Sequence, residues 1–228
     1  MDGLVEVDDI NCGIIILRTR PVKTPGADVL TLSTFRRGKM IEKSGMLDSI
    51  ESVLFTERQI AVMVERIGKE ISRDYKDKKL LLVSVLKGSV VFMADLMRSI
   101  DIEARIDFMA TSSYGAGSKS SGVVKIIKDL DIPLEGYDMV IVEDILDSGK
   151  TLSSLISIIQ ARNPKSIRLC TLFDKPDRRE VEDIKVDYVG AVIPDAFIVG
   201  YGLDYDEKYR NLPFVGILDP KVYEKMEE

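Results

Sequence analysis

VIVEDILDSGKTL, Val140 to Leu152, runs from an apolar stretch through Glu143, Asp144 and Asp147 into Gly149-Lys150-Thr151. That last tripeptide closes a nucleotide-binding P-loop, G-x-x-x-x-G-K-[ST], whose first glycine starts the turn that wraps a triphosphate. Asp144 stands where that glycine belongs. Three carboxylates repel a triphosphate, so the loop is expected to bind one phosphate at one end and a carboxylate-tolerant group at the other. Backbone N–H groups around Gly149 and Lys150, with the hydroxyls of Ser148 and Thr151, suit a phosphate monoester at a helix start. Glu143 and Asp144 suit the hydroxyls of a ribose diol. The stretch is read as a ribose 5-phosphate site, against the plainer alternative of an acid-rich surface turn.

The same stretch sets the fold expectation, because apolar strand, turn and helix in that order form one unit of an α/β protein. Its neighbours follow suit. Thr56-Glu57-Arg58-Gln59 is a capping box, in which the Thr hydroxyl and the Gln side chain each satisfy a helix-end N–H. Ile60, Met63, Val64, Ile67 and Ile71 then recur at helical spacing, predicting a helix to about Tyr75. Leu80 to Leu86 (LLLVSVL) reads as a buried strand, and Val90 to Ser99 as a helix. ARIDFMATSSY and VVKIIKDL alternate as strands around the Gly/Ser-rich loop YGAGSKSSG. DMVIVED, TLSSLISIIQA and SIRLCTLF give strand, helix and strand, and DYVGAVI and FVGIL give further short strands. Repeated strand–helix alternation implies a mainly parallel sheet, whose ligands bind at the carboxyl ends of the strands. Residues 1–45 hold no period and are expected to be an N-terminal extension, disordered or the product of a start codon placed too far upstream; 46–228 form the domain.

Composition narrows the chemistry. The 228 residues are enough for one well-filled core, and a net charge of −6 leaves no overall basic field for nucleic acid. Cys12 and Cys170 are the only cysteines, too few for a disulfide framework or a zinc site. The chain has no histidine, so acid–base chemistry falls to carboxylate, Lys or Tyr. No apolar run approaches the roughly 18 residues of a membrane span, and a cytoplasmic location is expected.

Glu-Asp, two apolar residues, Asp and Ser-Gly-Lys-Thr after an apolar strand resemble the phosphoribosyl-pyrophosphate signature of type I phosphoribosyltransferases. LKGS (Leu86 to Ser89), DFMATSSYG (Asp107 to Gly115), LFDKP (Leu172 to Pro176) and PDAFIVGYGLDYDEKYRNLPFVGIL (Pro194 to Leu218) resemble the hypoxanthine-guanine branch. The likeness covers about Asp48 to Leu218, in family order. It implies a mainly parallel twisted sheet flanked by helices, with a small hood formed largely by C-terminal segments. It also implies Mg²⁺-dependent transfer of 5-phosphoribosyl from phosphoribosyl pyrophosphate to a 6-oxopurine, through an oxocarbenium-like transition state.

By the same resemblance Asp147 is the general base facing purine N7, and Ser148 stands where relatives often carry Thr. Lys175 donates to the 6-oxo group, Phe197 stacks on the base, and Ile198 offers backbone groups to its edge. Asp204, with Glu143 and Asp144, is the candidate magnesium-ligand set, and Arg210 contacts pyrophosphate. Lys87 and Gly88 form the pyrophosphate loop, whose Leu86–Lys87 peptide is often cis in the family. Ser113 and Tyr114 begin a mobile lid, and a homodimer or homotetramer is implied. A regulatory nucleic-acid-binding protein on the same fold is the alternative from another class; the acidic charge and the joint presence of Asp147, Lys175, Asp204 and Arg210 weigh against it. Lys175 with Phe197 weighs against adenine, while xanthine stays open.

Overall fold

The structure, a computed structural model, describes residues 45–113 and 124–223. The expected extension therefore lies, except for Gly45, outside the described residues, as do Tyr114 and the rest of the YGAGSKSSG loop.

A six-stranded sheet runs in the order β4-β3-β2-β5-β6-β7. Its strands are β2 (Leu80–Leu86), β3 (Ala104–Ser113), β4 (Val124–Lys128), β5 (Asp138–Leu146), β6 (Ser166–Asp174) and β7 (Tyr188–Val192). All neighbours are parallel except β3 and β4. Helices α1 (Glu57–Asp74) and α2 (Val90–Arg98) pack on one face and α3 (Lys150–Gln160) on the other. The pleat explains why β2 and β5 read as unbroken apolar runs. Leu82, Val140 and Val142 face the α1/α2 core, while Leu81, Val83, Met139 and Ile141 face the α3 core. A strand buried on both faces has no polar side to show.

The capping box at the start of α1 is formed in full: Gln59 N–H donates to Thr56 Oγ1 at 3.3 Å, and Thr56 N–H donates to Gln59 Oε1 at 2.9 Å. Where α1 meets the end of α2, Gly68 removes the obstacle. A Cβ there would stand 2.3 Å from the Ser99 carbonyl oxygen. Gly68→Ala is expected to lower unfolding stability by about 1–3 kcal/mol, the usual cost of overpacking a close contact; urea melting of both proteins checks it.

A second, three-stranded antiparallel sheet in the order β1-β9-β8 forms the hood: β1 (Ile50–Phe55), β8 (Ile198–Val199) and β9 (Val215–Leu218). Two of its strands are C-terminal, as expected. The third, β1, comes from a segment to which the sequence reading assigned no strand. Its core is Ile50, Val53, Val199, Leu212, Phe214 and Leu218. Among the described residues no helix is long and apolar enough to cross a membrane.

Candidate active site

Chain direction places the cleft. From β2 the chain moves outward to β3, and from β5 it moves the other way to β6, so β2 and β5 lie side by side where the winding reverses. Carboxyl ends at such a switch point leave a crevice for ligands. The loop after β2 carries Lys87-Gly88, and the end of β5 with the turn into α3 carries Glu143 to Thr151.

The phosphate loop is built as its residue types demand. Gly149 caps α3 with φ +81°, a left-handed conformation that favours glycine, and a Cβ there would stand 2.6 Å from Val181 Cγ2. No side chain caps α3, so its first-turn N–H groups remain for an anion. The segment after β6 backs the loop: Glu180 N–H donates to the Ser148 carbonyl at 3.0 Å, and the Glu180 carboxylate pairs with Lys150. Thr151 is exposed and Ser148 partly buried.

The acidic pair sits at the crevice floor. Burial pushes the Glu143 carboxyl well above the usual carboxylate range, and the neighbouring Asp144 adds to it. Asp144 is pushed up to about 6, again mainly by burial; backbone N–H groups and Arg210 oppose the rise and Asp204 adds to it. Burial therefore favours the uncharged form of Glu143, and both carboxyls offer acceptor oxygens to a diol.

Gly88 packs directly on this floor. A Cβ at Gly88 would lie 1.9 Å from Asp144 Oδ2, and one at Gly202 would lie 2.0 Å from the Gly88 carbonyl. Three segments thus meet with no side chain between them: the β2 loop, the β5 loop and the turn after β8. The Leu86–Lys87 peptide is cis. Arg210 reaches over this junction, its Nη1 donating to the Gly202 carbonyl and pairing with Asp204, each at 2.8 Å. Glu207 joins Arg210 Nη2 (3.3 Å) to Lys87 Nζ (2.9 Å). Arg210, Lys87 and Asp204 are therefore one connected group. Among the described residues no three carboxylates or other ligand side chains converge as a metal site, so Glu143, Asp144 and Asp204 are not assembled into one.

Lys175, at the end of β6, is only 7% exposed. Its Nζ donates to the Ala196 carbonyl at 2.7 Å, and Asp195 stands 4.0 Å away, beyond hydrogen-bond reach. An ammonium has three protons, and among the described residues one of them is engaged, by the Ala196 carbonyl. Burial lowers the lysine's pKa, while the charges of Asp147 and Asp195 raise it and Arg178 lowers it further. Asp147, just past β5, accepts from Arg178 Nε at 3.4 Å, and Arg178 Nη1 lies 3.8 Å from Asp195. The sequence reading passed over Arg178 and Asp195. Arg178 ends the single 3-10 turn Pro176–Arg178 after Lys175, and that three-residue step was the available signal. Phe197 is 40% exposed, whereas Ile198 beside it is buried in β8. Ser113 ends β3.

A cleft with a phosphate loop, a diol-suited acidic pair and a buried amine near a carboxylate has parallels among known proteins. Residues 52–206 match the family model described as "Phosphoribosyl transferase domain". The chain is 53% identical over 179 residues to a Bacillus subtilis hypoxanthine-guanine phosphoribosyltransferase, covering 78% of this chain and 99% of that one. The chain belongs to the hypoxanthine-guanine phosphoribosyltransferase family. Its Streptococcus thermophilus relative of the same name is 48% identical over 186 residues, covering 82% of this chain and all of the relative. A Staphylococcus aureus hypoxanthine phosphoribosyltransferase structure superposes with TM-score 0.78 at 48% identity, covering 80% of this chain and 99% of that one. The chain is thus a phosphoribosyltransferase with the type I fold.

Proposed function

We propose that this enzyme transfers 5-phosphoribosyl from phosphoribosyl pyrophosphate to hypoxanthine or guanine, giving IMP or GMP and pyrophosphate in purine salvage. The observation that carries the base preference is the buried Lys175 at the end of β6, within reach of the charge of Asp147. A donor-only ammonium favours a 6-oxo group and disfavours the amino group of adenine. Phe197 offers an exposed ring for the base to stack on, and the Ile198 backbone borders its edge.

In this reading the α3 start, with Ser148, Gly149, Lys150 and Thr151, holds the 5-phosphate. Glu143 and Asp144 hold the ribose diol, and their nearness favours the positive charge that the sugar gains as pyrophosphate leaves. Lys87, Gly88 and Arg210 receive the pyrophosphate. Asp147 accepts the purine N7 proton while N9 attacks the sugar. Ser113 and Tyr114 begin a lid that keeps water from the sugar cation.

Magnesium fits this donor set. Mg²⁺ prefers one or two carboxylates plus substrate phosphates to an all-protein cage, and Asp204 and Asp144 lie close enough for one charge to raise the other's pKa. Asp204, with Asp144 and its neighbour Glu143, would hold the ion through one or two carboxylates, and a bound Mg²⁺ would supply Lewis-acid neutralisation of charge on the pyrophosphate. The enzyme works in the cytoplasm as a homodimer or homotetramer, with 46–228 as the catalytic domain and 1–45 as an extension.

Pyrophosphate release with hypoxanthine, guanine, xanthine and adenine offered in turn tests the function. Turnover with the first two, and little with adenine, is expected; turnover with adenine alone would overturn it. Chelating Mg²⁺ with EDTA is expected to abolish turnover, and restoring excess Mg²⁺ to recover it.

A further inference from the structure

Phe197 does not stand alone. Tyr223 lies against one face of its ring, with centroids 5.3 Å apart and planes at 28°, and Tyr205 meets its edge at 5.5 Å and 88°. Tyr205 and Tyr223 also touch each other, at 6.4 Å and 61°. Three aromatic rings thus form a closed triangle on the hood.

Tyr223 is itself firmly placed. It follows the 3-10 turn Pro220–Val222, and its N–H donates to the Pro220 carbonyl at 3.1 Å. Asp219 caps that turn through Lys221 N–H at 3.0 Å. The Asp219 N–H is bound to the Ser49 carbonyl at 2.9 Å, and the Leu218 N–H to the Phe197 carbonyl at 2.8 Å. The turn that carries Tyr223 is therefore tied to the strand that starts beside Phe197 and to the N-terminal edge of the hood.

An exposed aromatic ring just before a short strand has more than one staggered χ1 well open to it. One face covered by a stacked ring and one edge met by another restrict the orientation of Phe197, which stays 40% exposed. We propose that Tyr223 is a positioning residue for the purine: its ring fixes the Phe197 ring so that the open face is presented to the base. This rests on the stacking role proposed for Phe197. Tyr205 lies one residue from Asp204, so its removal would disturb the pyrophosphate side as well; Tyr223 stands outside that loop, after the 3-10 turn Pro220–Val222.

The test is steady-state kinetics of Tyr223→Ala, Tyr223→Phe and Phe197→Leu in the full chain, with melting temperature and solution mass measured for each. Aromatic pairs are worth enough to change an affinity by about 3- to 10-fold. Tyr223→Ala is expected to raise KM for hypoxanthine by that factor, with kcat and the KM for phosphoribosyl pyrophosphate within about two-fold of the parent; Tyr223→Phe should restore the parent value. Phe197→Leu should raise the purine KM at least as much. If Phe197→Leu raises it and Tyr223→Ala does not, the inference fails while the Phe197 reading stands. If neither does, the Phe197 reading fails and the inference with it. A rise in both KM values, or an altered solution mass, would mean that Tyr223 merely holds the hood together, and would overturn the proposal. A fall in purine KM would mean that Tyr223 occupies the base's own place, and would overturn it too.

Discussion

Asp147→Asn is expected to lower kcat for phosphoribosyl transfer by about 10²- to 10⁴-fold, the range that a positioned general base contributes. Asn has nearly the shape of Asp, and its carbonyl oxygen can still accept from Arg178 Nε, which stands 3.4 Å from Asp147 Oδ1. The substitution therefore removes proton acceptance and little else. The chain has no histidine to take over, and Glu143 and Asp144 are committed to the sugar side in the present reading. The KM for phosphoribosyl pyrophosphate should stay within a few-fold of the parent, because Asp147 contacts the base in this account. Rapid-quench measurement of nucleotide formation separates this from slowed product release. A kcat within five-fold of the parent would remove Asp147 from the base role.

Lys175→Ala should act on base choice. Sites that hydrogen-bond a particular substrate group discriminate by as much as about 10⁴–10⁵ against analogues lacking it. Truncating the lysine should therefore cut kcat/KM for hypoxanthine and guanine by about two to three powers of ten, and bring adenine closer to parity. Part of that loss is local. Lys175 Nζ holds the Ala196 carbonyl at 2.7 Å, next to Phe197, and its absence takes one of two nearby cations from Asp195 and Asp147, Arg178 remaining. Lys175→Met, which keeps the stem and drops the charge, separates the effects: it should lose 6-oxopurine turnover like Ala but melt closer to the parent. The ratio of hypoxanthine to adenine kcat/KM is the quantity to measure. An unchanged ratio in both variants would assign specificity elsewhere.

What could be read from the sequence was what the chain keeps contiguous. The phosphate site is a single strand, loop and helix, so its residues and the helix start were visible in VIVEDILDSGKTL alone. The bounds of β2 match the apolar run Leu80 to Leu86, and the capping box fixed the start of α1. The hood was less visible for a physical reason. Its strand β1 pairs with β9, Ile50 opposite Leu218, through a register broken by two irregularities, and β8 is only two residues long. Neither pairing leaves a period-two pattern in the sequence. Arg178 and Asp195 were hidden differently. A charged run such as DKPDRRE looks the same whether it faces water or a cleft, and only tertiary contact brings Arg178 to Asp147. Tyr223 was likewise out of reach, because its stacking on Phe197 depends on a turn anchored at Ser49.

The central claim is that one cleft joins a ribose 5-phosphate site to a pocket that selects a 6-oxopurine. The most direct measurement incubates the enzyme, Mg²⁺ and phosphoribosyl pyrophosphate with an equimolar mixture of hypoxanthine, guanine and adenine, and identifies the nucleotides by mass. IMP and GMP with little or no AMP is the predicted outcome. AMP as the main product, or none of the three while phosphoribosyl pyrophosphate still binds, would contradict the account.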